Sequence, residues 1–122
     1  MAITVVVDTG ITTSSTEYSM VAGAAYNSGS TPSSTDGVYQ LFVDTSDITA
    51  GDELQVRIYE KVRAADTHRI VYQANLVGPM VSGVVSNSVV AFPALVLMHN
   101  WDMTLDAISG TPDVSFTIKK VA

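Results

Sequence analysis

Four acidic side chains that could bind a metal ion or transfer a proton lie within ten residues of one another. They are Asp44, Asp47, Asp52 and Glu53. An EF-hand calcium loop needs oxygen ligands at alternate positions, glycine at the sixth position and glutamate at the twelfth. Counted from Asp44, the third, sixth and twelfth residues are serine, threonine and glutamine, so the EF-hand pattern fails. A looser calcium site formed by Asp44, Asp47 and Asp52 stays open at this point.

The same stretch is better explained as a turn followed by a strand. In the sequence TAGD, Gly51 can supply a positive φ angle and Asp52 can bond to nearby backbone groups. Leu54, Val56 and Ile58 then alternate with polar residues, as they would in a strand that buries one face. We therefore predict a solvated turn and a half-buried strand here.

A second candidate is the pair His99 and Asp102, because a carboxylate can orient an imidazole as a general base. A serine hydrolase would also need a nucleophile, and the Gly-x-Ser-x-Gly elbow is absent from the sequence. The surrounding alternation favours a structural role. The residues predicted to point inward are Trp101, Met103 and Leu105. Asp102 and Thr104 would then point outward, and His99-Asn100 would form the bend between two strands.

Other ligand-binding patterns are weak. The chain has no cysteine, and His68 and His99 are its only histidines, without the paired spacing of zinc sites. Phosphate-binding glycine loops and dinucleotide fingerprints are absent from the sequence. An aromatic platform for sugars could draw on Tyr18, Tyr26, Tyr39, Tyr59 and Tyr72, although tyrosine is also common on strands. We predict no catalytic, cofactor-binding or metal-binding residue, and expect a protein that is not an enzyme.

The elements that carry these residues are short and extended. The eight segments with strand patterns are Ile3–Asp8, Glu17–Tyr26, Val38–Asp44, Glu53–Val62, Arg69–Val77, Val89–Met98, Trp101–Ile108 and Val114–Val121. Turn-forming sequences separate them, and no sustained helical period is present. The pattern predicts a single all-β domain over residues 1–122: an antiparallel β-sandwich of about eight strands, jelly-roll-like. The Ser- and Thr-rich segment 27–37 is predicted to be a connecting loop or a mobile arm.

Charge and composition restrict the partners. The net charge of −6 opposes nucleic-acid binding. No apolar run is long enough to span a membrane, and the N-terminus lacks a signal-peptide pattern. We therefore expect neither a nucleic-acid nor a membrane partner, and synthesis in a reducing cytoplasm. All six basic residues follow position 56, which indicates either chance or a surface with charge on separate sides.

Two segments are more apolar than an ordinary half-buried strand or loop. Residues Val81–Pro93 are uncharged, and Ile3–Val7 is apolar on both faces of a strand. Apolar surface of this kind is costly to expose in a monomer. The segments predict either a protomer that buries surface in an assembly or an unusually thick core.

The sequence resembles a family of known proteins over most of residues 36–122. The similar stretches are DGVYQLFVDTSDITAGDELQVRIYEKV, HRIVYQANLVGP, PALVLMHNWDMTLDAISGT and the closing SFTIKKVA. They resemble small structural proteins encoded with the head genes of tailed bacteriophages. The shared motifs are structural turns and strands rather than catalytic residues.

This resemblance implies a virion component without enzymatic activity, namely a capsid cement or decoration protein. Such a protein would be made in the host cytoplasm and would bind the major capsid protein on the capsid surface, commonly as a homotrimer. The alternative is a carbohydrate-binding module of a fibre tip or adhesin, which would bind glycans saturably as an isolated domain. A small hydrolase that uses His99 and Asp102 is the third and least favoured hypothesis.

Overall fold

The computed structural model describes residues 3–27, 33, 35–63, 65–79 and 89–122. Within these residues the chain forms ten strands and no helix. The strands are β1 (Thr4–Thr12), β2 (Tyr18–Ser19), β3 (Ala24–Ala25), β4 (Gly37–Asp44), β5 (Glu53–Glu60), β6 (Arg69–Val77), β7 (Val89–Ala91), β8 (Leu95–Leu97), β9 (Asp102–Ser109) and β10 (Asp113–Lys120). A helix that could cross a membrane is absent from these described ranges.

The strands form two antiparallel sheets. The first sheet has the order β1-β10-β4-β7, and β8 also pairs with β4. The second sheet has the order β3-β2-β9-β5-β6. The predicted all-β antiparallel sandwich is confirmed. The jelly-roll subtype stays a prediction. The pairing of the first strand, β1, with the last, β10, is compatible with it.

The core lies between the two sheets and follows from alternation along the strands. Leu41 and Val43 of β4 face Leu54, Val56 and Ile58 of β5, and all five side chains are buried. Burial of one such aliphatic side chain stabilises the fold by about 1.5–3 kcal/mol. Because side chains point to opposite faces in turn, the residues between them lie on the outer faces of the sheets.

Two of the eight predicted segments are divided in the structure. The segment predicted as one strand over 17–26 contains β2 and β3, joined by a turn in which Gly23 has a φ angle of +71°. The segment predicted over 89–98 is interrupted between β7 and β8 at Pro93, which has no N–H to give to the sheet. Residues 80–88 and most of the predicted 27–37 loop lie outside the described residues.

The predicted turn before β5 is confirmed. Gly51 has a φ angle of +91°, which L side chains rarely adopt. The Oδ2 atom of Asp52 accepts hydrogen bonds from the backbone N–H of Thr49 at 2.9 Å and from its hydroxyl at 3.1 Å. The predicted bend at His99-Asn100 is also present, with a φ angle of +49° at Asn100.

Candidate functional site

A group of buried and half-buried polar side chains lies on the outer face of the second sheet. We call it the Glu17 cluster; it consists of Glu17, Ser19, Tyr26, Arg57, Tyr59, His68, Asp102 and Thr104. Strand register brings its central members together, because Thr104 pairs with both Ser19 and Arg57, and Asp102 pairs with Tyr59. These residues alternate with core residues on β2, β5 and β9, so their side chains share the face away from the core.

Glu17 is the centre of this cluster. Its Oε2 atom accepts hydrogen bonds from the hydroxyl of Tyr59 at 2.8 Å and from that of Thr104. A guanidinium nitrogen of Arg57 lies 3.4 Å from the same oxygen. Burial, followed by the hydrogen bond to Glu17, raises the pKa of Tyr59 well above its usual range, so the phenol remains a donor. Glu17 thereby joins the β2 segment to both β5 and β9.

Asp102 lies on the outer face, as predicted, but it is fully buried there, which the sequence pattern did not predict. Its Oδ1 atom accepts hydrogen bonds from the Ser19 hydroxyl at 2.7 Å and from the Met103 N–H at 2.8 Å. Its Oδ2 atom is buried and has no hydrogen-bond partner in the described structure. Burial raises the pKa of Asp102 to about 6. Thr104 is buried as well.

Asp102 and Thr104 are buried because side chains of residues 17–26 pack against this part of the outer face. The alternation of β9 is as predicted, with Met103 and Leu105 in the core. However, the ring of Tyr26 stacks on that of Tyr59 with centroids 4.6 Å apart, and Ser19 bonds to Asp102. The part of the outer face around Asp102 is therefore covered by side chains of residues 17–26.

His68 closes the cluster at the end where β6 begins. Its Nε2 atom bonds to the Asn100 carbonyl, which can only accept, so Nε2 carries the proton. Its Nδ1 atom forms a hydrogen bond with the Tyr26 hydroxyl at 3.2 Å. This contact holds the end of the 17–26 segment against the sheet. No pattern in the sequence indicates that His68 meets Tyr26.

His99 and Asp102, the pair considered and disfavoured as a general base, are not hydrogen-bonded to each other. Asp102 takes its hydrogen bonds from Ser19 and Met103. The backbone N–H of His99 donates to Glu60 at 3.1 Å, and its carbonyl accepts from Lys61 at 3.0 Å. The structural interpretation of this corner is supported further by Trp101, which is fully buried as predicted. In the Glu17 cluster the hydroxyls and carboxylates bond to one another, and their combined effect is to fix the segment 17–26.

The four clustered acidic residues, Asp44, Asp47, Asp52 and Glu53, lie at one end of the sandwich. A cleft of about 300 Å³ there is lined by Asp44, Asp47 and Asp113, among other residues. Hydrogen bonds from Ser46, first of all from its backbone N–H, lower the pKa of Asp44. Within the described part of the chain, no three histidine, cysteine, aspartate or glutamate residues are placed to hold a metal ion.

The five tyrosines do not form a common platform for a sugar. Tyr39 and Tyr59 are buried, with Tyr39 against Trp101 at a centroid distance of 4.3 Å. Tyr18 meets Phe116 edge-on across the core, and Tyr72 meets Phe92 in the same way. Tyr26 stacks on Tyr59, so the five rings are divided among separate contacts.

Exposed aliphatic side chains mark a different kind of candidate site. The large hydrophobic residues with exposed side chains are Ile3, Val5, Val6, Val62, Ile70, Val71, Val77, Val89, Val96, Met98 and Ile108. Ile3, Val5 and Val6 show that the core does not absorb the apolar N-terminal segment. Where such groups are contiguous, they are typical of surfaces that contact another protein.

Charge is divided between the two ends of the sandwich. We define the acidic end as the end where β4 stops and β5 starts; it carries Asp44, Asp47, Asp52, Glu53 and Asp113, and no Lys or Arg. We define the basic end as the opposite end, where β5 stops and β6 starts. It carries Lys61, Arg63, Arg69 and Lys120, together with Asp36, Glu60 and Asp66. The ammonium of Lys119 lies instead 4.5 Å from the ring centre of Phe42, nearer the middle of β4. The uneven distribution of charge along the sequence therefore corresponds to a concentration of carboxylates at one end of the sandwich.

No protein-family model and no curated protein matches the chain. Among solved structures, it is similar to a pentameric capsid protein isolated from metagenomic phage sequences, with a TM-score of 0.44 and 14% identity over 95% of this chain and 60% of that chain. The chain thus spans less than two thirds of the length of that capsid protein. It is also similar to Eiger TNF from S. frugiperda, with a TM-score of 0.42 and 12% identity over 95% of this chain and 92% of that chain.

Proposed function

We propose that the chain is a structural protein of a tailed-bacteriophage virion, and specifically a cement or decoration protein on the capsid surface. In this role it binds the lattice of the major capsid protein as a homotrimer and stabilises the head. It needs no cofactor and has no enzymatic activity. The resemblance of residues 36–122 to small phage head proteins supports this proposal.

The observation that carries the proposal is the set of aliphatic side chains exposed on ordered strands. Val5 and Val6 on β1, Ile70 and Val71 on β6, and Val89 on β7 are held in extended backbone and have exposed side chains. Each sheet also ends in a nine-residue strand, β1 in the first sheet and β6 in the second. A domain that works by adding contacts to neighbouring proteins needs adhesive surface of this kind.

The test compares capsids that contain the protein with capsids that lack it. Both kinds of particle are heated side by side while DNA release is followed with an intercalating dye, and purified protein is added back to the deficient capsids as a control. We expect the deficient capsids to release DNA at a lower temperature and the added protein to restore the release temperature. Identical release curves would reject the cement function and favour a neck, tail or receptor-binding role.

A further inference from the structure

Asp102 is a buried carboxyl group without a charged partner. It is fully buried on the outer face of the second sheet, and its Oδ2 atom has no hydrogen-bond partner among the described residues. The guanidinium of Arg57 pairs with Glu17 at 3.4 Å, and the described ion pairs do not include Asp102. Burial of an ionised carboxyl group without a cation is costly, whereas the protonated group is neutral and costs less to bury.

The other titratable groups around Asp102 come from four parts of the chain. They are Glu17 and Tyr26 of the covering segment, Arg57 and Tyr59 of β5, His68 next to β6, and Asp106 of β9. Burial is the main cause that raises the pKa of Asp102 to about 6, and Glu17 raises it further. The hydrogen bonds from Ser19 and Met103 and the nearby His68 act in the opposite direction but do not cancel the effect of burial.

Tyr26 is the large side chain that lies over this part of the sheet. Its ring stacks on that of Tyr59, the register partner of Asp102, with centroids 4.6 Å apart. Its hydroxyl group is hydrogen-bonded to Nδ1 of His68 at 3.2 Å. The charge of Asp102 lies close enough to raise the pKa of Tyr26, after the larger effects of burial and of Glu17. Tyr26 therefore separates Asp102 from solvent on this side.

The part of the chain that carries Tyr26 is weakly attached to the rest of the protein. Tyr18 and Met20 pack in or against the core, whereas β3 is exposed and pairs with β2 alone. The turn before β3 contains Gly23 with a φ angle of +71°, and glycine can change its backbone angles at low cost. Residues 23–26 can thus leave the sheet while Tyr18 and Met20 stay in place.

We propose that residues 23–26 form a lid over Asp102, which closes when the Asp102 carboxyl group takes up a proton and opens when it ionises. Closing transfers one proton from water to this carboxyl group. Because the pKa of Asp102 is about 6 under the closed lid and 3.8 ordinarily, the closed form holds a proton between these pH values that the open form has lost. Opening therefore becomes more favourable as the pH rises from 4 to 6, and the opening constant increases roughly 50-fold between pH 4 and pH 7. The lid belongs to the isolated chain and does not depend on the proposed virion role.

The experiment measures amide hydrogen exchange by NMR at pH 4 and pH 7, corrected for the intrinsic exchange rate of each residue. The reporter is the N–H group of Tyr26, which donates to the Glu17 carbonyl at 2.8 Å when the lid is closed. The N–H group of Met20 donates to the Met103 carbonyl at 2.8 Å and reports on the part of the segment that stays packed. Amides in the middle of β5 report on global unfolding.

We expect the Tyr26 amide to be less protected than those of Met20 and β5 at both pH values, because the lid opens separately. Its protection should fall roughly 50-fold from pH 4 to pH 7. Asp102→Asn does not titrate and should remove this fall. Asp8→Asn changes an exposed carboxylate of β1 and is the matched control, which should keep the fall.

Tyr26→Phe is a second variant, which keeps the ring and Asp102 but removes the hydrogen bond to His68. The lid of this variant should be less protected than that of the wild type at both pH values, with the same fold-change between them. Loss of the fold-change would show that His68 controls the lid and would overturn the inference.

Three further outcomes would overturn it: wild-type protection that does not fall with pH, an equal fall in Asp102→Asn, or a Tyr26 amide as protected as those of β5. Circular dichroism first establishes that the variants are folded. If Asp102→Asn does not fold, the wild type and Tyr26→Phe still decide the question.

Discussion

Asp102 is a buried carboxylate with one oxygen that has no hydrogen-bond partner in the described structure, which makes it sensitive to pH. Aspartate has an ordinary pKa of 3.8, and burial raises that of Asp102 to about 6. Between these two pH values the folded protein holds a proton that the unfolded chain has lost. The contribution of Asp102 to stability is therefore greatest below about pH 4, falls as the pH rises to 6, and stays low above 6.

The substitution Asp102→Asn tests this pH dependence. Asparagine does not titrate, but it keeps an oxygen that can accept from Ser19 and Met103. We expect the stability of the variant relative to the wild type to increase between pH 4 and pH 7, by about 1.4 kcal/mol for each unit by which burial raises the pKa. Urea unfolding at both pH values measures the difference. Parallel pH dependence in the two proteins would show that the Asp102 carboxyl is solvated.

Trp101 provides a second test at the scale of one residue. Its side chain is fully buried, and its indole N–H donates to the Thr35 carbonyl at 3.0 Å. We expect Trp101→Ala to lower the free energy of unfolding by about 3–5 kcal/mol, because it leaves a cavity in the core. His99→Ala is the neighbouring control and should leave every assayable activity unchanged. Chemical denaturation measures stability, and a Trp101→Ala protein as stable as the wild type would contradict the assigned packing.

At the scale of elements, the sequence predicted which face of each strand a side chain occupies. It did not predict which other segments pack against the outer faces. The alternation of Leu54, Val56 and Ile58 predicted the buried face of β5, and Gly51 predicted the turn before it. The corresponding alternation in β9 placed Asp102 on the outer face. It could not indicate that side chains of residues 17–26 cover Asp102 there. That contact joins residues more than 80 positions apart, and no local pattern encodes it.

A break in a predicted strand has a local cause, but the pairing of the two halves depends on a strand that is distant in sequence. Pro93 marks the division between β7 and β8, yet the sequence alone could not show that both halves still pair with β4. Gln40 helps to hold the interruption, since its side-chain amide donates to the Phe92 carbonyl at 2.8 Å. A proline therefore predicts a break in hydrogen bonding, while the neighbouring strand decides whether the chain continues in the same sheet.

Glu17 connects three elements, and its loss should loosen the segment that covers the second sheet. Glu17→Ala leaves the Tyr59 hydroxyl and the Arg57 guanidinium without this carboxylate, and we expect a loss of about 1–3 kcal/mol in the free energy of unfolding. Glu17→Gln keeps an acceptor oxygen and should cost less. Amide hydrogen exchange should accelerate over residues 17–26 in Glu17→Ala before it does so in β5. Uniform acceleration throughout the protein would show that the segment does not open separately.

At the scale of the whole molecule, the proposed homotrimer would determine how many copies act together. Such a trimer would present three capsid-binding surfaces at once, so the second and third contacts would form at a high effective concentration. Each single contact could then be weak while the trimer remains bound to an intact lattice.

This multivalency predicts that trimer formation and capsid affinity change together. A Val5→Lys, Val6→Lys variant loses two exposed aliphatic side chains of β1 but no core residue, so it should remain folded. If it is monomeric, it should bind deficient capsids roughly 10²-fold more weakly than the wild type, within the range that multivalency usually contributes. Asp8→Lys changes an exposed residue of the same strand and should bind as the wild type does. Co-sedimentation of labelled protein with purified capsids measures both affinity and the number of copies bound at saturation. A variant that is monomeric in solution yet binds with full affinity would show that each copy holds the shell on its own, because the energy of attachment would then lie entirely in one protomer's contact with the lattice.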